Sequence, residues 1–151
     1  MPSPFTQLYA HLVWATFDRQ PRIAPEIEPQ LYAALAAKCG ELKCFCMAVG
    51  GVEDHIHILV RCAPDVAIST LVAQLKGSTS HLINHVLIPE AGFRWQGSYG
   101  AFSVSKRSLR QASDYILGQK EHHRLGQVYE QLERCAAEDD PAGQSGSRLA
   151  G

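Results

Sequence analysis

Asp54-His55-Ile56-His57-Ile58-Leu59-Val60, following Gly50-Gly51, is the stretch on which the reading of this chain turns. In a β-strand successive side chains point to opposite faces, so His55 and His57 share one face. Ile56, Ile58 and Val60 share the other, where a hydrophobic core can cover them. Polar side chains at alternate positions of a buried strand are costly unless they have partners. Two neutral imidazoles side by side on a rigid strand form half of a divalent-metal site. The competing reading is a pair of hydrogen-bonded structural histidines.

Working outward, residues 5–18 carry the β-formers Tyr9, Val13, Trp14, Thr16 and Phe17 and read as a first strand. Pro25-Glu26 opens a helix with Ile27, Leu31 and Leu35, closed by Cys39-Gly40. Residues 43–49 read as a second strand stopped by Gly50-Gly51, and residues 55–62 as a third, linked to it as a hairpin. After Pro64-Asp65, a second helix places Ile68, Leu71, Val72, Leu75, Leu82, Ile83 and Val86 at helical spacing. Residues 93–105 read as a further strand region with glycine bends. A last helix spans roughly 107–122, with Ser105 or Ser108 as its cap. The order β-α-β-β-α-β plus a helix is the split βαβ, ferredoxin-like (RRM-like) plan: an antiparallel α+β sheet with helices on one face. The third strand is central in that plan, which predicts His55 and His57 on the opposite, open face.

A chain of 151 residues, 46% hydrophobic and 19% charged, has the size and composition of one globular domain. Residues 1–136 are expected to form it, and the Gly-, Pro- and acid-containing segment 137–151 reads as a disordered tail. No apolar run reaches the roughly 20 residues of a membrane span. Met1-Pro2-Ser3-Pro4 lacks the basic and apolar regions of a signal peptide, so the expected compartment is the cytoplasm. The odd number of cysteines, Cys39, Cys44, Cys46, Cys62 and Cys135, without a C-x-x-C pair, reads as reduced small hydrophobes. The net charge of −1 gives no global argument for a nucleic-acid partner. Residues 61–125 nevertheless hold eight basic residues against four acidic ones, enough to meet phosphates locally. Candidates for such contacts are Lys76, Arg94, Lys106, Arg107 and Arg110. The nearby aromatics Trp95, Tyr99 and Phe102 have two readings, base stacking and core or interface packing.

On the last helix, Tyr115 and Gln119 are four residues apart and so lie one above the other. A tyrosine phenol is a weak nucleophile unless positive charge lies nearby. A glutamine carbonyl is a neutral oxygen ligand suited to Mg²⁺ or Mn²⁺, and beside two imidazoles it would complete a three-ligand site. Amphipathic packing is the bland alternative for Tyr115. His81 and His85 also have the spacing of a metal pair, but no third ligand is evident. His11 reads as an ordinary strand residue, and His122 and His123 as solvated helix-end histidines.

Three ordered motifs carry a family resemblance: 51–60, Gly51 to Val60; 95–103, Trp95 to Ser103; and 115–123, Tyr115 to His123. Leu8 to Thr16 and Leu75 to Ser80 fit as well. Over about residues 5–130 the chain resembles the single-tyrosine, HUH-type transposases (TnpA) of the smallest bacterial insertion sequences. The resemblance implies that Tyr115 is the nucleophile, with His55, His57 and Gln119 as ligands of Mg²⁺ or Mn²⁺. It also implies a homodimer whose tyrosine helix reaches the histidine pair of the other subunit. The implied substrate is single-stranded DNA with hairpins near the element ends, cut and rejoined through a 5′-phosphotyrosine. A non-catalytic ferredoxin-like nucleic-acid-binding module is the alternative; as in RRM domains it would present aromatics where the third strand has histidines.

Overall fold

The computed structural model describes residues 2–137. Strands β1 (Tyr9–Ala15), β2 (Phe45–Val52), β3 (His55–Arg61) and β4 (Gly100–Val104) form one antiparallel sheet in the order β2-β3-β1-β4. Helices α1 (Glu28–Glu41) and α2 (Ile68–Leu82) make the two crossovers, and α3 (Leu109–Leu117) and α4 (Gln119–Leu125) follow the sheet. This is the ferredoxin-like order, with β1 and β3 at the centre. The expected tail beyond residue 137 lies outside the described residues. Among those residues no helix is long and apolar enough to cross a membrane.

One face of the sheet builds the main core. Leu12 and Trp14 of β1 and Ile56, Ile58 and Val60 of β3 pack with Leu31 and Leu35 of α1 and Leu71, Val72 and Leu75 of α2. Each such side chain contributes roughly 1.5–3 kcal/mol when fully buried, so this layer dominates the packing energy. Trp95 belongs to the same layer: its ring meets Trp14 edge-on at 6.1 Å and its Nε1 donates to Thr79 Oγ1 at 3.0 Å. That settles its packing role over base stacking.

The other face is not open, contrary to the sequence expectation. His55 and His57 are 2% and 0% exposed, because α3, α4 and the chain after Leu125 cover them. Ile116 of α3 packs on Ala48 and Leu59, and Cys135 packs on Val13 and Ala15. Two glycines permit this cover. A Cβ at Gly50 would run into the backbone carbonyl of Ile116, and one at Gly100 into that of Arg134. Gly50 and Gly51 therefore do not stop β2, which continues to Val52 and turns at Glu53-Asp54 into β3. The cover also explains why β1 shows no alternation, with Ala10 to Ala15 all buried.

The last helix is broken where a single helix over 107–122 was expected. It comprises a 3-10 turn at Lys106–Ser108, then α3, then α4, with Gly118 between the two helices. Neither serine caps it; Ser105 Oγ donates to Ser108 Oγ at 3.1 Å.

Candidate active site

β3 presents His55 and His57 toward α3, as their shared face requires. Tyr115, on α3, sets its ring perpendicular to that of His57 at 5.8 Å. A carboxylate links them. Tyr115 Oη donates to Glu133 Oε1 at 2.6 Å, and Glu133 Oε2 lies 2.7 Å from His57 Nε2 and 3.2 Å from His55 Nε2. Glu133 comes from the 3-10 turn Glu130–Glu133. The phenol oxygen in turn accepts the backbone N–H of Tyr129 at 3.2 Å.

The electrostatics follow from burial and this carboxylate. Burial works against the charge on Glu133, but the nearby imidazoles of His55 and His57 outweigh it and hold the carboxyl far below its usual range. Burial also opposes protonation of His55, yet the carboxylates of Asp54 and Glu133 raise its pKa to about 9. For His57 burial wins and the pKa falls. Burial and the Glu133 carboxylate together push the Tyr115 phenol up to about 12. A phenol so held stays protonated at neutral pH and requires added positive charge to act as a nucleophile.

The residues present fit a divalent cation. His55, His57 and Glu133 bring one ligand atom each within 4.8 Å of one another. His55 Nε2 is buried and lacks a partner of hydrogen-bond geometry, although Glu133 Oε2 is 3.2 Å away. Its outer nitrogen is already engaged, by Asp54 Oδ1 at 2.6 Å. A buried ring nitrogen left unbonded beside a carboxylate oxygen is what a site for a cation between them presents. Imidazole and carboxylate donors together suit a divalent ion with open positions.

Gln119 opens α4, across the break from Tyr115. Its Nε2 donates to the Tyr115 carbonyl at 3.2 Å, and its Oε1 meets His123 Nε2 at 3.0 Å. His123 is not a solvated end residue: its ring lies 4.8 Å from that of His55, and its Nε2 is 3.2 Å from Glu133 Oε1. His122 stacks on Tyr115 at 5.0 Å, tilted by 32°. His81 and His85 have ring centroids 4.3 Å apart on an exposed face, with no third ligand among the described residues.

The basic candidates separate. Lys76 donates to the carbonyls of Gln96 and Ser98, both at 2.7 Å, and so pins the loop before β4. The Arg94 guanidinium lies over the Phe17 ring at 4.3 Å. Lys106, Arg107 and Arg110 are exposed at the start of α3. Arg107 and Arg110 line a groove that also contains Tyr115, His122 and Tyr129.

Sequence reasoning missed Glu133, His123 and His11. Glu133 stands close after Glu130 with no strand or helix period to mark it, and the doubled His122-His123 was the one signal that pointed beyond Gln119. His11 is buried on β1, with Nε2 2.7 Å from His57 Nδ1.

The chain thus combines a four-stranded ferredoxin-like sheet with a paired-histidine strand under the helix that bears Tyr115, and the comparisons with known proteins supply its class. The model of the IS200-like transposase family matches residues 4–119, and the chain belongs to that family. It is 31% identical over 122 residues to the ISDra2 transposase TnpA of Deinococcus radiodurans, covering 75% of this chain and 84% of that protein. Its fold is similar to the crystal structure of a putative transposase from Deinococcus radiodurans, with a TM-score of 0.63 at 24% identity over 77% of this chain and 93% of the other. It is also similar to a REP-associated tyrosine transposase bound to a REP hairpin, with a TM-score of 0.61 at 14% identity over 85% and 74%.

Proposed function

We propose that this transposase cuts and rejoins single-stranded DNA through Tyr115, with a divalent cation held by His55, His57 and Glu133 and with Gln119 as a neighbouring oxygen donor. The observation that carries the reading is the Tyr115 hydroxyl, separated from His57 by a single carboxylate. Mg²⁺ or Mn²⁺, when bound, supplies charge neutralisation at the scissile phosphate and orients it.

The chain's own residues do the rest. The N–H of Tyr129 and the carboxylate of Glu133 fix the phenol oxygen and hold its proton at a defined place. As the phenol proton passes along its hydrogen bond to Glu133 Oε1, the oxygen attacks phosphorus in line; the bond from phosphorus to the leaving 3′ oxygen breaks and that oxygen takes up a proton, giving a 5′-phosphotyrosine and a 3′-hydroxyl. One phosphodiester replaces another, so rejoining needs no further energy source. Arg107 and Arg110 steer the phosphate chain along their groove to Tyr115, with Lys106 beside them in sequence, while Arg94, near the far end of β1, offers a separate phosphate contact. Lys76 acts on DNA only through the loop it pins. The partner DNA carries hairpins near the cleaved ends, and the protein works in the bacterial cytoplasm as a homodimer.

The test is covalent capture. Incubation with a suicide single-stranded oligonucleotide and Mg²⁺ should give a protein–DNA adduct mapped to Tyr115 by mass spectrometry. Absence of an adduct with a cognate end sequence, in Mg²⁺ and in Mn²⁺, rejects the mechanism.

A further inference from the structure

His57 sits on β3 directly opposite Val13 of β1, and His11 is two residues from Val13 on the same face. That diagonal brings the two rings together, with centroids 5.0 Å apart and planes at 47°. His11 Nε2 lies 2.7 Å from His57 Nδ1, and the two residues are 1% and 0% exposed. The rings of Phe102 and Tyr115 hold His11 in place, at 5.9 and 6.3 Å. Nothing in the phosphoryl-transfer chemistry uses His11, yet a polar ring has been kept at the centre of the sheet.

We propose that His11 is the positioning residue for His57: it sets the orientation and tautomer in which His57 Nε2 faces the cation. The inference rests on the metal reading above. The two ligand histidines have different supports. Asp54 can only accept, so the Nδ1 of His55 carries a proton in either protonation state of the ring. His57 has an imidazole as its outer partner instead, and an imidazole can donate or accept.

That difference matches what His57 must do. With Nε2 given to a cation, the one ring proton sits on Nδ1, and His11 Nε2 accepts it. With Nε2–H donated to Glu133 Oε2, Nδ1 is bare, and His11 Nε2–H donates to it. A carboxylate at position 11 would serve only the first state and would add a second buried negative charge near Glu133. His11 serves both without changing the charge of the site. Outer partners of this kind typically change metal affinity 10- to 100-fold when removed.

The test uses the full chain and two substitutions, with circular dichroism to verify folding. His11→Phe keeps a ring but removes the bond; His11→Gln keeps an acceptor and a donor near the Nε2 position. Calorimetric titration with Mn²⁺ should give affinity about 10- to 100-fold weaker for His11→Phe, and within about 3-fold of wild type for His11→Gln. In metal-free wild-type protein, ¹H–¹⁵N spectra should show a slowly exchanging imidazole proton shared by the two rings, absent in His11→Phe. Equal Mn²⁺ affinity in His11→Phe and wild type, or equal loss in both variants, overturns the positioning role. If His11→Phe does not fold, lack of the shared proton in wild type overturns it as well. Wild-type protein that binds no Mn²⁺ but shows the shared proton instead refutes the metal reading alone.

Discussion

Tyr115 and Glu133 are joined by a 2.6 Å hydrogen bond in which the phenol donates, and the same carboxylate reaches both β3 histidines through its other oxygen. Nucleophile and candidate ligands are thus one connected unit of a single chain. Each partner can be removed with a near-isosteric change, which makes the unit open to dissection.

Tyr115→Phe deletes one hydroxyl and leaves the ring to fill the same space against His122 and Tyr129. The covalent adduct should disappear while single-stranded DNA affinity stays within about 3-fold; Mn²⁺ affinity should fall about tenfold, because the hydroxyl supports the Glu133 carboxylate. Transfer of the adduct to Tyr129, whose ring is 5.2 Å away, would show that the pocket and not the residue selects the nucleophile.

Glu133→Gln keeps the shape of the link and removes its charge. Mn²⁺ affinity should fall at least about tenfold and adduct formation with it, since a carboxylate ligand becomes a neutral amide. Faster adduct formation in this variant would mean that Glu133 obstructs the site.

The connection from β4 to α3 spans only residues 105–108, and it delivers Tyr115 onto the sheet of its own chain. Lys120 then ties α4 to Glu28 of α1 and to the Gly51 carbonyl. Sites assembled this way predict that mixed dimers of Tyr115→Phe and His55→Ala chains remain inactive. Recovered cleavage would place the helix across the subunit boundary, as the family resemblance implied.

The metal-free protein should lose stability as pH rises from about 6.5 to about 9. The His55 pKa is raised to about 9 against an unfolded value near 6.5, so its contribution is complete below 6.5 and is lost through 9. His57 and His11, both lowered by burial, act in the opposite direction below pH 6.5, because the unfolded chain then binds protons that the folded one refuses. Urea denaturation in chelator should show an optimum near pH 6.5 and a decline on the order of 2 kcal/mol by pH 9. A flat profile over that interval would remove the His55–carboxylate coupling.

The alternation in β3 and the apolar spacing of α1 and α2 carried the fold, since both report the face a residue occupies within its own element. The site was half legible for the same reason. His55 with His57, and Tyr115 with Gln119, are pairs whose geometry follows from strand or helix period. Glu133 and His11 reach the site through contacts 76 and 46 residues away in sequence, set by strand register and by how the chain after α4 folds back. No local period encodes those distances. The course of β2 through Gly50-Gly51 was misread because a neighbouring backbone, that of Ile116, and not the segment itself decides it.

The bare surface of Gly50 has a last consequence. With no side chain between them, β2 and the Ile116 carbonyl touch main chain to main chain, so the nucleophile's height above the histidines is gauged by the peptide backbone itself. Substitutions along the outer surface of α3 can then drift without altering the reach of Tyr115. A single methyl group on the strand beneath would lift the whole helix like a shim.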